Sequence, residues 1–189
     1  MKKLITFSVG LLLLSSCDLK EKLPTISLAD EAKSKMEALV ASGDLSTAEY
    51  TVEKIVKAED CAWYTIGDRK ILFSIKAYLE GGIRMTNYDA SKTVIDEATK
   101  TIGITLPKAQ LLSLNIPSEE ITQKFTRVGL FRSKFSVKER NEIQKQGEAD
   151  IRADIDNIGI LEDAENNARL FFTSVLKQVG YKHVNVKFE

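Results

Sequence analysis

The sequence predicts an α+β fold: one antiparallel sheet, an N-terminal helix, two long C-terminal helices packed on the sheet, and a short closing strand. Three observations lead there. Ile71, Phe73, Ile75, Ala77 and Leu79 alternate with Lys70, Leu72, Ser74, Lys76 and Tyr78, the period of a strand with one buried face. Leu161, Ala164, Ala168, Phe171, Phe172, Val175, Leu176 and Val179 fall on one broad helical face. Strand-like segments are grouped in the first two thirds of the chain and helical ones in the last, an order that suits a segregated α+β layer.

The elements follow in order. Ser27 caps a helix over about 28–42, with Leu28, Ala32, Met36, Leu39 and Val40 at helical spacing and Gly43 as its stop. Ala48, Tyr50 and Val52 open a strand that Ile55-Val56 extends, and Gly67-Asp68 marks a turn. The Ile71–Leu79 strand is expected to stop at Gly81-Gly82, a pair too short for a phosphate loop. Val94-Ile95, 101–106 and 110–116 read as three more strands, with Pro107 in the tight connection. Pro117-Ser118-Glu119-Glu120 suggests the start of a short helix. Ser136-Val137-Lys138-Glu139 is a capping box opening a polar helix to about Asn157, with a thin stripe of Ile143, Gly147, Ile151 and Ile155. Gly159 and Gly180 bound the last helix, and Val184, Val186 and Phe188 form the closing strand.

Composition narrows the function classes. The chain has 189 residues, 27 basic and 27 acidic, with 43% hydrophobic residues, which is globular rather than disordered. Zero net charge gives no general reason to expect nucleic-acid binding. A single His excludes zinc sites built on several histidines.

The N-terminus reads as an address. Met1-Lys2-Lys3 is a positive n-region, and Leu4 to Leu14 an apolar run of eleven residues. At about 16 Å of helix, that run is short for a hydrocarbon core of about 30 Å. Leu14-Ser15-Ser16-Cys17 resembles the bacterial lipobox. That resemblance implies removal of residues 1–16 and lipidation of Cys17, a membrane-anchored lipoprotein of the cell envelope, outside the cytoplasm. Multiple acyl chains would anchor it stably. Residues 17–26 are the expected tether and 27–189 the single α+β domain. The remaining 173 residues would carry 25 basic and 27 acidic groups, net −2. Cys61 would then be the only thiol, either buried and inert beside Ala62 and Trp63, which is favoured, or paired with another molecule.

Several short motifs resemble domain-of-unknown-function family 4230, a group of bacterial membrane-anchored proteins. They are Tyr50–Val56, Ile66–Phe73, Leu106-Pro107-Lys108-Ala109, Leu112–Pro117, Asn167-Ala168 and Gly180-Tyr181 with Val184 and Val186. The likeness covers about 45–189. It implies the α+β fold and an envelope location, but no reaction and no catalytic residues. Where the family pattern is close to Ala-Gly-Ile-Asp-Leu, this chain has Gly81-Gly82-Ile83-Arg84-Met85, with a base in place of the acid.

Candidate chemistry is sparse, and no catalytic, cofactor or metal set is expected. Residues 154–165 match an EF-hand loop at Asp154, Asp156, Gly159 and Glu165, but Ile158 stands where an oxygen ligand belongs, so a solvated acidic junction is favoured. His183 is read as an edge residue, and the pairs Glu119-Glu120 and Glu162-Asp163 as helix-start or solvated acids rather than acid–base pairs. Trp63-Tyr64 could form an aromatic platform, with packing favoured. Arg127, Arg132, Lys134, Lys138 and Arg140 read as a solvated face. The expectation is a non-enzymatic binding or scaffolding module, its partners the membrane through Cys17 and a protein, or a second copy, through the 137–158 helix. The alternative is an envelope enzyme or small-ligand binder with a pocket at the sheet–helix boundary. In cells fed a labelled fatty acid, the protein should carry the label, and Cys17→Ala should abolish it; label retained by Cys17→Ala would remove the anchor.

Overall fold

The structure, a computed structural model, describes residues 27–60 and 67–189. Helix α1 (Leu28–Ser42) begins where the Ser27 hydroxyl accepts the Asp30 amide and ends at Gly43, φ 86°. Strands β1 (Asp44–Asp60) and β2 (Arg69–Arg84) then pair antiparallel from Asp44↔Arg84 to Asp60↔Arg69. At about 3.3 Å per residue, this ribbon is about 50 Å long. The expected alternation is present: Ile71, Phe73, Ile75, Ala77 and Leu79 are buried.

Gly81-Gly82 does not stop β2, which runs on to Arg84. The glycines are there for close approach. A Cβ on Gly82 would overlap the Leu45 carbonyl of β1 and lie 2.7 Å from Leu112, and one on Gly81 would lie 3.0 Å from Ile160. Two short 3-10 turns (Met85–Asn87 and Ala90–Lys92) lead to β3 (Val94–Asp96), β4 (Thr101–Leu106) and β5 (Gln110–Asn115).

A further strand, β6 (Ile121–Val128), was not expected from the sequence. It and β5 lie end to end along the second edge of β2, with β5 on Tyr78–Gly82 and β6 on Arg69–Ile75. The helix expected at Pro117–Glu120 is only a 3-10 turn (Ser118–Glu120) between them. Six of the eight β6 residues are exposed, so the strand carries no alternation for a sequence reading to detect.

The described strands form two sheets rather than one. The four-stranded sheet is β1, β2, β5 and β6, all antiparallel. The three-stranded sheet is β3-β4-β7, in which β7 (His183–Phe188) lies parallel to β4. Helices α2 (Val137–Ala153), α3 (Ile155–Ile158) and α4 (Ile160–Val179) complete the chain. The expected polar helix is interrupted at Asp154, where α2 ends and α3 begins. Its thin stripe packs inward: Ile151 and Ile155 are buried, and a Cβ on Gly147 would lie 2.5 Å from Ile75 and 2.6 Å from Val56.

Each sheet has its own core. Ile71 to Leu79 pack with Ile151, Ile155, Ile160 and Ala164; Ile83, Met85, Ile102, Ile104 and Leu106 pack with α1 and with Ala168, Phe172, Leu176 and Val179. Helix α4 therefore belongs to both. Gly82→Ala should destabilise the domain by about 1–3 kcal/mol, because a methyl group must displace the β1 backbone; an unchanged denaturant midpoint would show that β1 does not approach so closely.

Candidate functional site

An apolar concavity lies between α1 and the small sheet. Helix α1 presents Ala32, Met36 and Val40 toward Tyr88, Ile95 and Ile102, and the space between them measures about 710 Å³. Asp30, Lys33, Glu37, Ser91 and Thr93 supply a polar margin. The opening exists because β3 is three residues long and pairs with β4 only, leaving Val94 and Ile95 exposed. The Tyr88 hydroxyl meets Thr93 Oγ1 at 2.5 Å, and Asp89 accepts the Ser91 amide at 2.9 Å, which fixes the wall opposite α1. Asp30 is engaged by the Ser27 hydroxyl at 2.9 Å. This volume lies within the usual range for small-molecule pockets, and its surface suits an apolar chain with a polar end.

The far end of the ribbon is charged. Asp60 accepts Arg69 Nε at 2.9 Å and a second hydrogen bond from Arg132. Arg69 also donates to Glu139 at 2.5 Å, and its guanidinium sits 4.6 Å from the centre of the Phe135 ring. Glu139 closes the expected capping box, accepting the Ser136 amide at 2.7 Å. The Ser136 amide first, and then Arg69, hold the Glu139 carboxyl down at about 2. Asp60 is lowered too, chiefly by the Arg69 hydrogen bond. These carboxylates stay ionised and tie α2 to the β1–β2 ribbon; neither is poised to exchange a proton near neutral pH.

Beside this cluster, Lys134 and Arg140 line a second cavity of about 350 Å³, with Gln123 and Thr126 as further polar groups over Ile71 and Phe135. Of the five basic residues expected as a solvated face, Arg127 and Lys138 are exposed as expected, and the other three divide. Arg132 is locked to Asp60, whereas Lys134 and Arg140 border a cavity.

The other candidates serve packing. Lys54 donates to Asp154 at 2.6 Å, Tyr50 to Asp163 at 2.5 Å, and the Ala109 amide to Glu165 at 3.3 Å, so the acids of 154–165 hold α3 and α4 to neighbouring strands and loops. Among the described residues no group of three or more His, Cys, Asp or Glu is placed to hold a metal ion. Glu120 receives Lys76 at 3.2 Å and the Tyr78 hydroxyl at 3.1 Å, which lower its pKa, and it is not set against Glu119 as an acid–base pair. Glu162 is exposed on α4. His183 is exposed and pairs with Thr101 in the parallel ladder. Arg84 meets Asp44 across the strands at 3.1 Å. Cys17, Cys61 and Trp63-Tyr64 lie outside the described residues. Among the described residues no helix is long and apolar enough to cross a membrane.

An apolar groove over a small mixed sheet, joined to a larger antiparallel sheet by one helix, defines a two-sheet α+β domain whose polar side chains chiefly lock its elements together. The chain belongs to the family DUF4230, described as a protein of unknown function, whose model matches residues 37–186. No curated protein and no solved structure matches it.

Lowering the pH tests the far-end lock. The Glu139 pKa is depressed in the folded state, so the stability it confers is present above its ordinary value of 4.5 and is lost as the pH falls toward about 2. Thermal melts should show Tm falling across that window, and Glu139→Gln should flatten the fall while lowering Tm at neutral pH. An identical acid limb in Glu139→Gln would show the carboxylate unpaired.

Proposed function

We propose that this protein is a non-enzymatic lipoprotein of the bacterial cell envelope, a binding module tethered through Cys17, whose groove between α1 and the small sheet receives an apolar ligand such as a single acyl chain. The groove carries this reading: about 710 Å³, with Met36, Val40, Tyr88 and Ile102 among its walls. Its position supports it as well. Helix α1 begins eleven residues after Cys17, so a lipid-anchored chain would hold this groove within about 40 Å of the bilayer, where amphiphiles are concentrated. The polar margin of Asp30, Lys33 and Glu37 suits a ligand with a polar end at the opening.

The test is titration of the protein with a fluorophore-labelled long-chain fatty acid. Saturable binding is expected. Ala29→Trp, which puts bulk into the groove from the α1 side, should weaken it at least tenfold with Tm changed by no more than a few degrees. Equal binding by wild type and Ala29→Trp, or none by either, would overturn the assignment.

A further inference from the structure

The end of the ribbon opposite α1 combines two features that folding does not explain. The first is apolar exposure. Leu130 and Phe131, at the turn after β6, are 77% and 85% exposed, and Val137 at the start of α2 is 66% exposed. Phe131 has φ 67°, a left-handed conformation rare for a bulky aromatic residue, and the Arg132 amide bonds back to the Gly129 carbonyl at 3.2 Å. The turn thus holds the ring away from both cores at some cost in backbone strain and hydration.

The second is charge. Residues 121–140 contain Lys124, Arg127, Arg132, Lys134, Lys138 and Arg140 against one acid, Glu139, so this stretch is +5 in a chain whose total is zero. The nearby acids are largely occupied: Asp60 by Arg69 and Arg132, Glu139 by Arg69, and Glu59 by Lys57 and Lys70. Asp68 and Glu142 are exposed and offset part of the excess. Lys134 and Arg140, with Gln123 and Thr126, border the 350 Å³ cavity, a set of donors suited to a phosphate group.

We infer that this end docks on an anionic phospholipid surface, with Leu130 and Phe131 entering the interface and a lipid phosphate seated between Lys134 and Arg140. Charge alone would equally suit a nucleic acid or an acidic protein. The exposed Leu-Phe pair at the tip of the basic surface favours a bilayer, because the interface takes up apolar side chains while its phosphates meet the cations around them. Each basic residue near such a surface contributes roughly fivefold in binding. The inference does not depend on the Cys17 anchor, which would act at the other end of a ribbon about 50 Å long.

The experiment reads the tip itself. The full chain carrying Phe131→Trp is mixed with vesicles of phosphatidylglycerol whose acyl chains are brominated, and quenching is compared with that of the parent, which has Trp63 alone. Quenching of the added Trp is expected. It should fall at least tenfold in Lys134→Glu/Arg140→Glu, diminish at high salt, and be weak with brominated phosphatidylcholine. Inorganic phosphate at millimolar concentration should not displace it. Attachment through the N-terminus cannot produce this signal, so failure of the anchor and failure of the docking site are separable. No quenching beyond the parent, equal quenching by the two lipids, or full quenching in the charge-reversed variant at unchanged Tm would overturn the inference.

Discussion

Helix α4 packs against two cores at once, and the rest of the domain is arranged around that constraint. Its buried residues Ile160, Ala164, Ala168, Phe172, Leu176 and Val179 recur every four residues and then three, a stripe running the length of the helix. The first two belong to the core of the large sheet and the last four to that of the small one. Small side chains at 164 and 168 let the helix lie close to the strands, and Gly81 meets it from the other side. Thr47 and Asn167 then fix the edge strand. The Thr47 hydroxyl donates to the Ala164 carbonyl, and the Asn167 amide donates to the Thr47 carbonyl, each at 2.8 Å. These two hydrogen bonds at the one residue Thr47 leave little freedom for β1 to slip along the helix.

What the sequence revealed follows from which signals are local. Helices α1 and α4 were legible because an amphipathic stripe and its cap lie within one segment. Strand β2 was legible because its two faces differ so strongly. Strand β6 was not, because water reaches both of its faces. Gly81-Gly82 reads as a break when only neighbours in sequence are considered. The reason for glycine there is Leu45 and Ile160, residues brought in from β1 and α4. The pairing of β4 with β7 likewise leaves no local trace. Of the candidate site, the capping box at Ser136 was visible, but the second use of Glu139 as a partner for Arg69 was not. The α1 groove draws on α1, the 88–93 loop and β3–β4, whose residues look like ordinary core or turn positions in the sequence.

The two ends of the ribbon have opposite chemistry. At one end a short edge strand leaves an apolar trough under a helix; at the other, ion pairs close a joint and surplus cations surround it. A chain of zero net charge can therefore behave as a strongly polarised object. Such a molecule orients in the field of a charged surface before any contact is made.

The parallel pairing of β4 with β7 also sets an order of assembly. Thr101 aligns with His183 and Leu106 with Phe188, strands about eighty residues apart in the chain. Everything between them, including β5, β6 and all three C-terminal helices, must be present before that ladder can form. The large sheet can assemble from segments ending at Val128, while the small sheet stays an unfinished hairpin until β7 arrives. Loop closure over that distance is slow compared with hairpin formation. The α1 groove, whose floor includes β4, should therefore be the last part of the molecule to take shape.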